Sequence, residues 1–119
     1  MNRVLLLLLV FAFSARPLLS ADELLIVPGD GLSHIGERVS VSGLVVAVFV
    51  SKRGNVFINF GDKYPNQTFT GWVPAGTPPA SDPSLQLLQG KTVKMTGVIE
   101  LYRGKPEIRI TSKDQIVSE

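Results

Sequence analysis

Two stretches of the sequence put basic side chains beside aromatic ones. Lys52 and Arg53 precede Phe57 and Asn59, while Arg103 and Lys105 follow Tyr102. Between them lies Trp72, the single tryptophan of the chain. Aromatic faces stack nucleobases at about 1–3 kcal/mol per base and nearby cations follow the phosphates, the combination that single-strand binders use. Other chemistry lacks its residues. The chain has no cysteine, which excludes disulfide scaffolds, thiolate zinc sites, iron–sulfur clusters and cysteine nucleophiles. His34 is the one histidine and has no partner at a metal-ligand spacing. Asp62, Glu100, Glu107 and Asp114 are scattered without a calcium-loop pattern, and neither a Gly-x-Ser-x-Gly elbow nor a phosphate loop occurs. No metal, cofactor or catalytic residue is expected. The residues point to binding.

For these side chains to act together, strands must hold them. Val39 and Val41 alternate with Ser40 and Ser42, the period-two mark of a half-buried strand, and an apolar run over 44–50 carries it past Gly43. A glycine inside a strand suggests a bulge, which lets one long strand bend and serve two sheet regions. Residues 51–55 read as a hairpin loop. A second strand, Val56–Phe60, has Val56, Ile58 and Phe60 on one face and Phe57 and Asn59 on the other. A third, over 68–73, sets Thr68, Thr70 and Trp72 opposite Phe69, Gly71 and Val73. Four of the eight prolines fall in 74–83, so regular structure stops there. Ser81 or Asp82 then caps a short helix through Leu88, which Gly90 ends. A fourth strand over 91–101 alternates until Gly97, and 102–105 form a second basic hairpin loop. Ile108 and Ile110 mark a fifth strand, with Glu107, Arg109 and Thr111 facing away, and Ile116 and Val117 lie where the open end of the sheet would close.

Three strands, a connecting helix and two more strands, the first and fourth long and glycine-kinked, is the layout of an OB fold. It is an all-β, five-stranded Greek-key barrel with a short helix between strands three and four. The phrases Ile35-Gly36-Glu37-Arg38-Val39-Ser40-Val41-Ser42-Gly43, Gly54-Asn55-Val56-Phe57-Ile58-Asn59-Phe60-Gly61, Phe69-Thr70 and Gly97-Val98-Ile99-Glu100-Leu101-Tyr102-Arg103-Gly104-Lys105-Pro106 carry a resemblance. Over roughly residues 33–117 the chain resembles small bacterial secreted OB-fold proteins, which are grouped with OB-type nucleic-acid-binding domains. In this fold the outer face of strands two and three, with the loops joining strands one–two and four–five, forms the ligand surface. Here that surface holds Phe57, Asn59, Thr68, Thr70 and Trp72. Lys52 and Arg53 flank it on one side, and Tyr102, Arg103 and Lys105 on the other. Each also has a structural reading: Phe57 packed beneath the helix, Trp72 over a barrel end, and hairpin cations that are merely solvated. Thermonuclease-type enzymes share the barrel, but their acidic and arginine motifs are not recognisable here, so the chain does not read as an enzyme.

Residues 1–21 are of another kind. Arg3, an unbroken apolar run over 4–13 and the small-residue exit Ser20-Ala21 describe a secretory signal peptide. That run is about half of the ~20 residues a spanning helix needs. The cut falls after Ser14 or after Ala21, and the OB domain occupies 22–119. Arg3 and Arg16 account for the whole formal charge of +2, so the exported part is formally neutral. Neutrality argues against a general polycation for duplex DNA. The expected protein is a non-catalytic, periplasmic or secreted OB-fold module that binds single-stranded nucleic acid weakly and keeps no membrane anchor. The alternative is an envelope module using the same face for a protein or glycan partner.

Overall fold

In the computed structural model, which describes residues 23–119, the alternating segments become seven strands. They are β1 (Leu24–Ile26), β2 (Arg38–Val50), β3 (Val56–Phe60), β4 (Phe69–Val73), β5 (Thr92–Tyr102), β6 (Lys105–Arg109) and β7 (Ile116–Ser118). The expected signal peptide lies outside the described residues. The strands run in the order β1-β2-β3-β4-β6-β5-β7, and β2 pairs with β5 as well. That extra pairing joins β2, β3, β4, β6 and β5 into a partly closed ring of five strands. Within the ring β4 and β6 are parallel and the other pairs antiparallel.

The sheet therefore has seven strands where the sequence predicts five. The additional strands, β1 parallel to β2 and β7 antiparallel to β5, hold three residues each, too few to show an alternation. The expected helix between the third and fourth ring strands is also different. It stands at Pro83–Leu88 as a 3₁₀ segment, and a further 3₁₀ segment, Pro78–Ser81, occupies the proline-rich stretch where no regular structure is expected. Pro78, Pro79 and Pro83 stand at the first positions of their segments, where a missing N–H is tolerated, and both segments are short, as 3₁₀ runs are. The Asp82 carboxylate starts the second segment by accepting from the Ser84 N–H at 2.9 Å.

β2 and β5 each serve two neighbours. β2 pairs with β5 from Arg38 to Leu44 and with β3 from Val45 onward, while β5 passes from β2 to β6 between Val98 and Ile99. The irregularity that bends β2 falls between Val45 and Ala47, not at Gly43. Gly43 answers a different need: a Cβ there would stand 2.6 Å from Pro28 Cγ, in the 3₁₀ segment Pro28–His34. Likewise a Cβ on Gly97 would stand 2.6 Å from Ile108 Cγ2. Both glycines mark close approach.

Side chains of the inward register fill the ring. Val41, Val45, Ile58, Phe60, Phe69, Met95, Ile99, Ile108 and Ile110 are fully buried, each large apolar group contributing about 1.5–3 kcal/mol. Phe60 and Phe69 meet edge to face with centroids 6.2 Å apart. Met95 reaches across to the space that Gly71 leaves open on β4. Because β3, β4 and β6 spend one set of alternate residues on this core, the other set is turned to the outside.

Candidate functional site

The pairing register arranges those outward side chains in two rows. In the first, Phe49 stands opposite Phe57, Phe57 opposite Trp72, and Trp72 opposite Arg109. The two phenyl rings stack with centroids 6.2 Å apart and planes 27° apart. The Arg109 guanidinium lies 4.9 Å from the Trp72 ring centroid, a cation–π contact. The result is a strip of flat π-surface and guanidinium crossing four strands.

The second row runs Ala47, Asn59, Thr70, Glu107 and Glu100. The Thr70 hydroxyl donates to Asn59 Oδ1 at 2.9 Å. Glu107 is only 9% exposed. Burial raises its carboxyl above the usual carboxylate range, and the Glu100 charge across the strand pair raises it further, while Arg109 draws it back. None of the side-chain hydrogen bonds or ion pairs among the described residues ends on the Glu107 carboxylate.

Basic turns lie at the two ends of the strands that these rows cross. In the 51–55 hairpin the Ser51 N–H donates to Asn55 O and the Gly54 N–H to Ser51 O, both at 2.9 Å. Gly54 takes a left-handed φ of 90°, and the turn leaves Lys52 and Arg53 exposed. Asn55 Oδ1 accepts from the Ala75 N–H at 2.8 Å and ties the turn to the chain after β4. Since β6 runs parallel to β4, the turn between β5 and β6 falls at the opposite end, beside the 61–68 loop. About 17 Å separates the two ends, the length of a five-residue strand. Arg103 and Gly104 form the second turn with φ of 51° and 81°, and the Arg103 guanidinium lies 5.2 Å from the Tyr102 ring centroid.

Among the sequence candidates, Phe57 and Trp72 are half-buried and adjacent on the face, with Lys52 and Arg53 at one end and Tyr102 and Arg103 at the other. Two have other tasks. Asn59 is 3% exposed and bonded to Thr70, so it braces the sheet from within rather than standing open. The Lys105 ammonium donates to the carbonyls of Pro65 and Gln67 and holds the 61–68 loop against β6. Lys63, near Lys52 and Arg53 in sequence, lies beyond the far end of β3 and joins the Arg103 end. His34 pairs with Glu37 at 2.8 Å on the surface. No group of three or more metal-ligating side chains occurs among the described residues.

Phe49, Arg109 and Glu107 belong to this face and are absent from the sequence candidates. Phe49 is hidden in the apolar run over 44–50, where the bulge resets which residues point outward. Arg109 and Glu107 are read correctly as outward, but their neighbours Trp72 and Thr70 follow from the parallel β4–β6 pairing, which no local pattern announces.

Neither a family model nor a curated protein matches the chain. Solved structures do. OBody AM1L10 bound to hen egg-white lysozyme is similar over 73% of this chain and 83% of its own, with a TM-score of 0.53 and 20% identity. A protein of Leishmania major Friedlin assigned as an aspartyl-tRNA synthetase is similar over 87% of this chain, with a TM-score of 0.55 and 8% identity. The asparaginyl-tRNA synthetase of Entamoeba histolytica is similar over 74%, with a TM-score of 0.50 and 18% identity. The matches span 22% of each synthetase chain. With the five-strand ring, these likenesses define an OB-type fold.

Proposed function

We propose that the protein is an exported, non-catalytic OB-fold module that holds single-stranded nucleic acid on the outer face of β3, β4 and β6. The observation that carries this reading is the Phe49–Phe57–Trp72–Arg109 row, with exposed cations in the turns at both ends of the strands it crosses. Bases stack on aromatic rings and on guanidinium planes alike, so the row offers successive platforms without demanding one sequence. Lys52 and Arg53 at one end, with Lys63 and Arg103 at the other, would take phosphates. The carboxylates of Glu100 and Glu107 keep phosphates off the middle of the face, so the backbone lies at the rim and the bases lie inward. The synthetases with similar folds are proteins that act on tRNA by name, which supports the class of ligand by analogy.

Four phosphate contacts at about 0.7 each predict log K falling by about three per decade of salt. Fluorescence anisotropy with labelled oligo-dT and oligo-U checks this. Absence of binding at tens of micromolar protein in low salt, or binding indifferent to salt, overturns it. A protein partner is the second reading, favoured by the 57% exposure of Phe49 and 40% of Val50 beside the row. Binding that depends on Phe49 and ignores salt identifies that case.

A further inference from the structure

Glu107 is the one feature of the face that nucleotide stacking alone leaves unexplained. The residue as a whole is 9% exposed, lies on the outward register of β6, and accepts no hydrogen bond among the described residues, while its carboxylate oxygens still reach the surface. An ionised carboxylate can only accept, and one that keeps its oxygens at the surface of the face without a protein donor is open to a donor from a ligand. Glu100 stands directly opposite and adds a second negative charge rather than a donor. Two residues along the same strand, Arg109 lies over Trp72. Alternate residues of a strand are about 7 Å apart, so a base seated on the Trp72–Arg109 platform brings its edge to the Glu107 carboxylate.

Resting on the nucleic-acid reading above, we infer that Glu107 is a base-selecting acceptor that favours bases with exocyclic amino groups over thymine and uracil. Cytosine N4, adenine N6 and guanine N2 each present N–H donors to a carboxylate. Thymine and uracil present a carbonyl oxygen where cytosine has its amino group, and their one edge donor, N3–H, is flanked by two carbonyl oxygens that repel a carboxylate. Glu100 reinforces the sign of the preference. A divalent cation is not the occupant this geometry describes, because no third ligating side chain joins the pair among the described residues.

The test compares two pyrimidine oligomers, so that stacking area changes little while the edge changes. Labelled oligo-dC and oligo-dT of equal length are titrated by anisotropy against the full-length chain, Glu107→Gln and Glu107→Asp. The expected result is tighter binding of dC by about fivefold or more, the lower end of what a specific base contact supplies. Glu107→Gln, whose amide can also donate, brings the two affinities within about twofold, while Glu107→Asp keeps dC ahead. Equal binding of dC and dT by the unmodified protein, or an undiminished preference in a folded Glu107→Gln, overturns the base-selecting role and leaves single-strand binding standing. No binding of any oligomer overturns both.

Discussion

Lys105 separates a reading made from charge alone from one made from contacts. By sequence it is a hairpin cation placed for a phosphate. In the structure its ammonium donates to the Pro65 and Gln67 carbonyls, the latter at 3.1 Å, and pins the 61–68 loop to β6. Replacing it with methionine keeps most of the aliphatic stem and removes the donors. A hydrogen bond to a charged group contributes about 1.5–3 kcal/mol. Lys105 is half-exposed, so the lower end applies, and the loss is about 1.5–2 kcal/mol. For a domain of this size each kcal/mol moves Tm by about 4–8 °C, so Lys105→Met lowers Tm by about 6–16 °C. Its effect on the salt dependence of oligonucleotide binding is nil. Arg53→Met behaves oppositely: the salt slope falls by about 0.7 and Tm holds. Thermal unfolding by circular dichroism gives the first quantity. Titration across a salt series gives the second, and Trp72, the only tryptophan, provides an intrinsic signal on the face itself. A Lys105→Met variant with unchanged Tm and a slope reduced by a full phosphate contact refutes the assignment of Lys105 to the loop.

Gly97→Ala drives a methyl to 2.6 Å from Ile108 Cγ2 and is expected to cost about 1–3 kcal/mol by overpacking, read as a lower denaturation midpoint. Arg103 occupies a left-handed turn position that Asn fills more readily, so Arg103→Asn raises stability by up to about 1 kcal/mol while reducing the salt slope by about 0.7. The Lys113 ammonium and the Ser84 N–H hold the Asp82 carboxyl at about 2, below its ordinary 3.8. The stability it supplies is present above pH 3.8 and disappears as pH falls toward 2, and Asp82→Asn flattens the acid unfolding curve in that window. Glu107 has the reverse sign. Its raised carboxyl favours the folded chain most below its ordinary 4.5, and that advantage is lost as pH rises through the raised value, so Glu107→Gln is at least as stable as the parent at pH 7.

Much of the ring was legible because its strands spend alternate residues on the core. The structure buries Val56, Ile58, Phe60, Phe69, Gly71 and Val73 and leaves Phe57 and Trp72 half-exposed as the alternation predicts, but it also buries Asn59 and Thr70 on the outward register. Illegible features depend on partners distant in sequence. The three-residue strands β1 and β7 owe their existence to open edges of β2 and β5, and the bulge after Val45 decides that Phe49 faces outward. Asn59 and Lys105 have the composition of ligand contacts, and only their bonds to Thr70 and to the 61–68 loop show them engaged elsewhere. By sequence Glu107 is one of several scattered carboxylates, because its burial and its facing Glu100 arise from the β5–β6 and β4–β6 pairings together.

The pairing of Arg38 through Leu44 with Thr92 through Val98 has a kinetic consequence. Ring closure joins segments between which all of β3, β4 and the 3₁₀ segments must already have been synthesised. Contacts of such separation carry a large loop-closure cost before they return any stability, and topologies dominated by them fold in milliseconds to seconds. An emerging chain that stops short of β5 can form the β2–β3–β4 meander but not the ring, and its apolar inner face stays open. Folding therefore waits for the last quarter of the sequence. For a chain exported as we propose, that delay holds it in a threadable state until the final strands arrive.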